Sequence, residues 1–542
     1  MRIGSLVVLL MMMVITASSQ TKSINNKIER PKLVVGIVID QMRWDFLYRY
    51  YDRYSAGGFK RLMNEGFSNE NAMIPYTPTY TAAGHACVYT GSVPAVHGIM
   101  GNYWYSKVLG RNVYCTEDST VQSIGTTSTA GKMSPVNMWT TTITDELRLA
   151  TNFNSKVIGI AFKDRGSILP AGHSANAAYW FDDISGGFIS STYYMNDLPQ
   201  WVKDFNGKKL PDQYLQQNWN TLYPISTYKQ STADTMKYES ALPGEDNNFP
   251  HNTSSITKNK YNSFRYTPFA NTFTFEMAKA AIQSEKLGAS GNTDFLALSF
   301  STTDYIGHEF GPNSIEVEDT YLRLDADMAA FLQYLDKTIG KDQYTVFLTA
   351  DHGVAHVPGF LKDNRIPAGT FDDAEIGKQL NIHLEKVFSI KNAISKIINY
   401  QVYFNASVVT EQNKNVITAE TIDQLLKFPF IANAFELKNV MSVPVPEKLR
   451  DMMANGFNQK LSGDIQFNYK PQWFDGWNKG TSHGVWYAYD AHIPLLWYGW
   501  GIKKGKSNKE VYMTDIAPTI AAMLKIQMPS GCIGKVIEEV MK

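Results

Sequence analysis

Five short apolar runs, rich in Val, Ile, Leu and Phe, constrain the fold of this chain more than any other feature. Near-continuous runs of this kind are typical of central parallel strands that are buried on both faces. Helical patterns lie between several of them, at residues 271–285 and at residues 314–339, where Ser314 is the predicted N-cap. The apolar runs cover residues 32–40, 156–162, 295–300, 344–349 and 493–498.

Strands that alternate with helices predict an α/β fold, here a mostly parallel central sheet with helices on both faces. The predicted domain covers residues 30–542. Two stretches interrupt the alternation, at about residues 180–268 and about residues 368–480. We interpret them as insertions that cap and shape a site.

The N-terminus has the pattern of a secretory signal peptide over residues 1–19. Arg2 supplies the positive start, residues 6–15 the apolar stretch, and Ala17, Ser18 and Ser19 the small residues before the cut. The apolar part is too short to span a bilayer, and no later run reaches the roughly 20 apolar residues that a span needs. The sequence predicts an exported protein, periplasmic or secreted, without a transmembrane segment.

The charge balance argues against nucleic acid or an anionic membrane as the partner. Lys plus Arg number 51 and Asp plus Glu number 51, so the net charge is zero and any preference for an anion must come from a local site. Cys87, Cys115 and Cys532 are too few and too widely spaced for a disulfide scaffold or a cysteine zinc site. We interpret them as mostly buried small side chains.

Carboxylate and imidazole groups follow two of the predicted strands. Asp304 and His308 are four residues apart, so one helical turn places both on the same face, where they can bind one ion. Asp351 and His352 are adjacent and precede Gly353, which permits the bend that their convergence needs. Such side chains at strand ends are ligands for a transition metal, and strand ends are where open α/β sheets hold their active sites.

Two further residues are weak signals alone. Asp40 ends the first predicted strand, where an Asp is often a turn residue or a helix cap. His483 follows a glycine-containing loop, and a single His is usually structural. Together with the two motifs above, they supply three His and three Asp, which suit two zinc sites with nitrogen and oxygen ligands.

A Pro- and Thr-rich turn is predicted before a helix that starts at about Ala82. A hydroxyl at a helix N-terminus lies among free backbone N–H groups, which stabilise negative charge on a phosphoryl or acyl group. The simpler alternative is that a Thr acts as the helix N-cap. The local pattern does not choose among Thr77, Thr79 and Thr81.

Lys163 and Arg165 follow the strand at residues 156–162. If the extended backbone continues, both cations point to one side and form a clamp for an oxyanion with several negative charges. The alternative is a solvated strand terminus.

These residues, in this order, resemble the alkaline phosphatase superfamily, and most closely its secreted phosphate-irrepressible alkaline phosphatases of the Bacteroidetes type. The resemblance covers most of the mature chain. It is carried by the ordered set Asp40, Thr81-x-x-x-His85, Gly101-Asn102, Lys163-x-Arg165, Asp304-x-x-x-His308, Asp351-His352-Gly353 and His483.

The resemblance implies an exported bacterial hydrolase, a monomer, with two Zn²⁺ ions per chain. One zinc would be bound by Asp304, His308 and His483. The other would be bound by Asp40, Asp351 and His352, with the Thr81 oxygen also on it.

The resemblance also implies the chemistry. Thr81 is the nucleophile, and small-molecule phosphate monoesters are hydrolysed through a phosphothreonine. Asn102, Lys163 and Arg165 contact the non-bridging phosphoryl oxygens. The Lys-x-Arg pair favours the dianionic monoester, because a diester carries one negative charge fewer.

Two alternatives remain open. The first is a phosphodiesterase or phosphonate hydrolase on the same two-zinc scaffold. The second is a non-catalytic surface or glycan-binding protein that uses the Trp- and Tyr-rich residues 179–223. A formylglycine sulfatase is disfavoured, because the segment from Cys87 to Gly91 lacks the Pro and Arg of the sulfatase motif.

Overall fold

The predicted first strand lies in the middle of a ten-stranded sheet in the computed structural model, which describes residues 28–242, 247–476 and 478–542. The predicted signal peptide, residues 1–19, lies outside the described residues. The order of the strands in the sheet is β18-β2-β17-β10-β1-β9-β6-β7-β8-β5. The strands of the described residues are β1 (Leu33–Ile39), β2 (Phe67–Met73), β3 (Tyr103–Ser106), β4 (Arg111–Tyr114), β5 (Ser123–Ile124), β6 (Val157–Ala161), β7 (Ala177–Asp182), β8 (Gly187–Ser191), β9 (Asp294–Phe300), β10 (Tyr344–Thr349), β11 (Gly369–Phe371), β12 (Ile394–Ile398), β13 (Gln401–Phe404), β14 (Ile431–Glu436), β15 (Ile465–Tyr469), β16 (Trp473–Asp475), β17 (His492–Gly499) and β18 (Gly505–Tyr512).

The centre of the sheet is parallel, as predicted. β1 pairs in parallel with β9 and β10, and β6 pairs in parallel with β9. The prediction was wrong for the fifth apolar run, because β17 pairs antiparallel with both β10 and β2. An apolar run reports burial on both faces, and burial does not fix the direction of a strand.

The α-helices surround this sheet and also build the segments between its strands. The helix predicted to start after Ser314 begins at Ile315, and the Ser314 side chain accepts a hydrogen bond from the N–H of Val317. The helices are α1 (Phe46–Arg49), α2 (Phe59–Glu65), α3 (Thr81–Thr90), α4 (Pro94–His97), α5 (Ile143–Ala150), α6 (Asp164–Ala171), α7 (Gln200–Gly207), α8 (Leu210–Leu215), α9 (Lys260–Phe264), α10 (Phe269–Glu285), α11 (Thr302–Phe310), α12 (Ile315–Leu335), α13 (Pro358–Asp363), α14 (Asp373–Phe388), α15 (Lys414–Lys427), α16 (Glu447–Asn455), α17 (Ala488–Ala491) and α18 (Ile516–Leu524).

Helices cover both faces of the sheet. Ser299 and Phe300 are neighbours on β9, so their side chains point to opposite faces. The ring of Phe300 packs 4.4 Å, centroid to centroid, from Phe275 of α10. The Ser299 hydroxyl lies 2.8 Å from Nε2 of His85 in α3. The α/β prediction, with helices on both faces, is therefore confirmed.

A second, four-stranded sheet lies in the predicted insertion at about residues 368–480, with the order β12-β13-β15-β14. Helices α14 and α15 pack on it and share its separate apolar core. It reaches the strand ends of the main sheet through Tyr400, whose hydroxyl donates a hydrogen bond to the backbone oxygen of His483. In the other predicted insertion, at about residues 180–268, β8 continues the main sheet. The limits of both insertions stay predictions.

The cysteines are free thiols. Cys87 and Cys115 are buried, and Cys532 is half-buried. In the part of the chain that the structure describes, no helix combines the length and the apolar character that a membrane crossing requires.

Replacing Gly36 of β1 with alanine tests how closely α3 packs on the sheet. The new Cβ would stand 2.4 Å from the Tyr89 hydroxyl and 2.6 Å from Cζ of Phe347. We expect the unfolding free energy of Gly36→Ala, measured by urea denaturation, to fall by about 1–3 kcal/mol, as in other overpacked cores.

Gly207→Ala is the matched control, because no heavy atom lies within 4 Å of its Cβ position. It should change the unfolding free energy by less than about 0.5 kcal/mol. Equal unfolding free energies for Gly36→Ala and the unaltered protein would contradict the close packing of α3 on β1.

Candidate active site

Four adjacent parallel strands deliver the polar residues to one edge of the sheet. β1 ends just before Asp40, β10 just before Asp351, and β6 shortly before Lys163. β9 ends at Phe300, and α11, which follows it, carries Asp304. Because the carboxyl ends of parallel strands open at the same edge, side chains far apart in sequence meet there.

Asp304, His308 and His483 form the first group of possible metal ligands, with one ligand atom of each within 4.8 Å of the others. Nε2 of His308 lies 3.1 Å from Oδ1 of Asp304, one helical turn away on α11. Nε2 of His483 lies 3.7 Å from the same oxygen. The structure therefore brings together the three residues that the resemblance gave to one zinc.

The second group surrounds His352. Nε2 of His352 lies 3.5 Å from Oδ1 of Asp40 and 3.4 Å from Oδ2 of Asp351. Asp304 also belongs here, since ligand atoms of Asp40, Asp304 and His352 lie within 4.8 Å of one another. The two groups are therefore adjacent, with Asp304 within reach of both.

All three imidazoles are oriented in the same way. Nδ1 of His308 donates to the backbone oxygen of Thr481, and Nδ1 of His483 donates to that of Thr79, each over 2.8 Å. Nδ1 of His352 lies 2.9 Å from the backbone oxygen of Gly353. A ring whose Nδ1 donates presents the lone pair of Nε2, and each Nε2 here faces the carboxylates, as in histidine metal ligands.

The carboxylates have fewer partners than buried charges need. Oδ1 of Asp40 and Oδ2 of Asp351 are buried without a hydrogen-bond partner among the described residues. Burial, and then the nearby Asp40, raise the pKa of Asp351 well above its usual range. Unpaired buried oxygens beside imidazole lone pairs fit a divalent cation, and the nitrogen and oxygen donors suit zinc.

Lys163 occupies the space between the two groups. Its ammonium lies 2.6 Å from Oδ2 of Asp40 and 2.5 Å from Oδ2 of Asp304, and the side chain is buried. Burial acts to raise the pKa of Asp304, but His308 and Lys163 hold this pKa well below its ordinary value. In the described structure, Lys163 thus neutralises one carboxylate of each group.

The backbone around Lys163 differs from the prediction. The extended geometry ends there, because β6 stops at Ala161, Lys163 is the N-cap and α6 begins at Asp164. The prediction that extended backbone places Lys163 and Arg165 on one side was therefore wrong. Both side chains nevertheless line one cavity of about 580 Å³, because the first helical turn also directs Arg165 toward it.

Among the three candidate hydroxyls, that of Thr81 lies at the second group. Oγ1 of Thr81 is 3.3 Å from Nε2 of His352. The hydroxyl of Thr79 donates to the backbone oxygen of Val485 instead. Helix α3 begins at Thr81, and its N-cap is Tyr80, which makes no side-chain cap. The alternative that a Thr acts as the helix N-cap is therefore wrong.

Gly84 lets the first turn of α3 approach the metal-ligand groups. A Cβ at this position would stand 2.5 Å from the backbone oxygen of Asp351, so only glycine fits. His85 lies one helical turn after Thr81. Its Nδ1 is 2.9 Å from the backbone oxygen of Thr81 and 3.4 Å from Oδ2 of Asp351. Burial lowers the pKa of His85 to about 4, so the ring is neutral.

Asn102 is held beside Thr81. Its Oδ1 accepts a hydrogen bond from the backbone N–H of Ala82 over 3.0 Å. Because the amide oxygen is used in this way, the Nδ2 group is the end of the side chain that can donate to a ligand.

The role of Gln41 was not predicted from the sequence. Its Nε2 donates to Oδ1 of Asp304 over 2.7 Å, and its backbone N–H donates to Oδ1 of Asp351 over 3.1 Å. Its φ of 66° lies in the left-handed region, which is uncommon outside glycine. Gln41 therefore links the two ligand groups, and its position directly after Asp40 was the only available clue.

Comparisons with known proteins show similarity along most of the chain. Residues 34–474 match the family described as type I phosphodiesterase / nucleotide pyrophosphatase. The chain is 54% identical over 518 residues to alkaline phosphatase PhoV of Synechococcus elongatus, covering 95% of this chain and 94% of the relative. It is 53% identical over 523 residues to a calcium-transporting ATPase of Myroides odoratus, covering 95% of each.

A solved structure is similar along nearly the whole chain. Alkaline phosphatase PafA of Elizabethkingia meningoseptica is 50% identical over 523 residues. The crystal structure of wild-type PafA matches with a TM-score of 0.93, covering 95% of this chain and 100% of that chain.

Proposed function

The chain belongs to the type I phosphodiesterase / nucleotide pyrophosphatase family and is an alkaline phosphatase. We propose that it is an exported, two-zinc phosphomonoesterase that forms a phosphothreonine at Thr81. The observation that carries the proposal is the position of the Thr81 hydroxyl, 3.3 Å from Nε2 of His352, inside the second ligand group.

Two metal ions are proposed from the donor atoms. Bound zinc supplies a Lewis acid that stabilises negative charge on the attacking and leaving oxygens. The three Nε2 lone pairs and the unpaired oxygens of Asp40 and Asp351 are the ligands that zinc prefers. The proposed sets are Asp304, His308 and His483 for one ion, and Asp40, Asp351, His352 and Thr81 for the other.

Thr81 is the proposed nucleophile. Its oxygen attacks phosphorus, the leaving alcohol departs, and water then cleaves the phosphothreonine to release inorganic phosphate. The start of α3 supports this step, since its free N–H groups and helix dipole favour negative charge at Thr81.

Asn102, Lys163 and Arg165 are proposed to bind the non-bridging oxygens of the phosphoryl group. Lys163 and Arg165 line the same cavity as Asp304 and His308, and Asn102 is fixed beside Thr81. Lys163 pairs with two carboxylates that are proposed zinc ligands, so zinc would take over the neutralising role of its ammonium. A mutant of PafA has been solved with a Thr, an Asn, a Lys and an Arg replaced, the same four residue types in the same order.

Two further features are proposed from the sequence. Export rests on the signal-peptide pattern of residues 1–19, and the monomeric state rests on the family resemblance. The cations at positions 163 and 165 favour a dianionic monoester over a diester as the substrate.

Removing the Thr81 hydroxyl should abolish turnover. We expect Thr81→Ala to lower kcat for p-nitrophenyl phosphate by about 1,000-fold or more, as loss of a nucleophile does elsewhere. Thr81→Ser should retain measurable activity, because it keeps a hydroxyl. After rapid acid quenching, mass spectrometry should find one phosphoryl group on the peptide that contains Thr81.

Thr90→Ala, at the far end of the same helix, is the matched control. Its hydroxyl donates a hydrogen bond to the backbone oxygen of Ala86 and accepts one from the backbone N–H of Ser92, and neither residue belongs to the ligand groups, so kcat should change little. Full activity of Thr81→Ala, or a phosphoryl group on a different peptide, would remove Thr81 from the proposed role.

The two cations should determine the preference for monoesters. We expect Lys163→Ala and Arg165→Ala each to lower kcat/KM for p-nitrophenyl phosphate about tenfold more than kcat/KM for its methyl diester, because the diester has less charge to neutralise. Exposed Lys504→Ala is the control and should leave the ratio unchanged. A preference for the diester that survives both substitutions would favour the phosphodiesterase alternative.

A further inference from the structure

The hydroxyl of Tyr114 lies between Arg165 and the carboxylate next to it in sequence. It donates a hydrogen bond to Oδ1 of Asp164 over 2.7 Å and accepts one from Nη1 of Arg165 over 3.1 Å. Burial, and then Asp164, raise the pKa of Tyr114 well above its ordinary value, so the phenol keeps the proton that it donates. The phenol thus bridges an anion and a cation.

This contact determines which edge of the guanidinium remains for a ligand. Nε and Nη2 of an arginine share the edge opposite Nη1, and that edge can bind two oxygens at once. Nε of Arg165 is buried and has no hydrogen-bond partner among the described residues, although the side chain lines the cavity of about 580 Å³. A buried donor without a partner costs free energy unless a ligand supplies an acceptor.

Asp164 competes with a ligand for the guanidinium of Arg165, and the Tyr114 hydroxyl lies between these two side chains. It is the first residue of α6, and its Oδ2 accepts a hydrogen bond from the hydroxyl of Thr116. A carboxylate and a guanidinium form stronger, charge-assisted bonds with each other than either forms with a neutral phenol. Without the Tyr114 hydroxyl, Arg165 would therefore turn toward Asp164 and away from the cavity.

We propose that Tyr114 is a positioning residue for the phosphatase reaction, whose hydroxyl separates Arg165 from Asp164 and holds the Nε/Nη2 edge toward the phosphoryl oxygens. This inference rests on the proposed role of Arg165. Tyr114 itself does not contact substrate. It stands at the end of β4, whose hairpin partner β3 follows Asn102 directly, so the hairpin fixes two of the proposed phosphoryl-binding residues together.

A double-mutant cycle of Tyr114→Phe and Arg165→Ala tests the proposal in the zinc-loaded enzyme. We expect Tyr114→Phe alone to lower kcat/KM for p-nitrophenyl phosphate about tenfold, the size expected for one hydrogen bond to a charged group. In the Arg165→Ala background the same substitution should have almost no further effect, because the group it positions is gone. The inhibition constant of inorganic phosphate should rise in parallel with the loss in kcat/KM.

Kinetics with the methyl diester distinguish a loss of Arg165 positioning from general damage to the active site. Tyr114→Phe should lower kcat/KM for the methyl diester less than for the monoester, which is the pattern also expected of Arg165→Ala. Tyr105→Phe is the matched control on the same hairpin, where the ring packs against Tyr403, and it should leave both substrates unaffected. Thermal unfolding of each variant checks that the fold is retained.

The outcomes distinguish the proposed role of Tyr114 from the proposed role of Arg165. Equal losses from Tyr114→Phe with and without Arg165 would show a structural role and overturn the proposal. Unchanged kinetics in Tyr114→Phe, with Arg165→Ala impaired, would overturn it too but leave the proposed function intact. If Arg165→Ala is itself unimpaired, the proposed role of Arg165 fails first.

Discussion

Three buried carboxylates repel one another at the edge of the central sheet, and the residues around them must offset this repulsion. Asp40, Asp304 and Asp351 are each at most 4% exposed, and two of their oxygens have no hydrogen-bond partner in the described chain. Like charges in a buried space are tolerated only beside cations or protons. Lys163 supplies one cation, and its two ion pairs leave those two oxygens without a partner.

The surrounding chain holds these charges in place. Gln41 bonds to two of the three carboxylates, and each imidazole is fixed through Nδ1 to a backbone oxygen. Such outer contacts orient ligands before any ion binds, which lowers the cost of binding it. The buried charges therefore cost folding free energy without a metal ion, and the same side chains are already oriented to bind one.

Much of the fold followed from apolar runs and helical spacing. The central strands as elements, the Ser314 cap and the pairing of Asp304 with His308 were predicted locally, because each depends on neighbours in sequence. The direction of β17 was missed, since apolarity reports burial alone.

The contacts that orient the site were not predictable in this way. The bond from Gln41 to Asp351 spans 310 residues, and that from Arg165 to Tyr114 spans 51. Neither Gln41 nor Tyr114 stands in one of the motifs that indicated metal ligands, a hydroxyl or an oxyanion clamp, so pattern alone did not identify either. The backbone bend at Lys163 was missed because only two residues, Phe162 and Lys163, separate a strand from a helix there.

The carboxylates and imidazoles are proposed to form two zinc sites beside Thr81. Crystals grown with zinc and measured on both sides of the zinc absorption edge test it most directly. We predict two anomalous peaks per chain, the second beside the Thr81 hydroxyl. The ligand sets expected at the peaks are Asp304, His308 and His483, and Asp40, Asp351 and His352. A single peak, peaks at other residues, or no peak at saturating zinc would contradict the account.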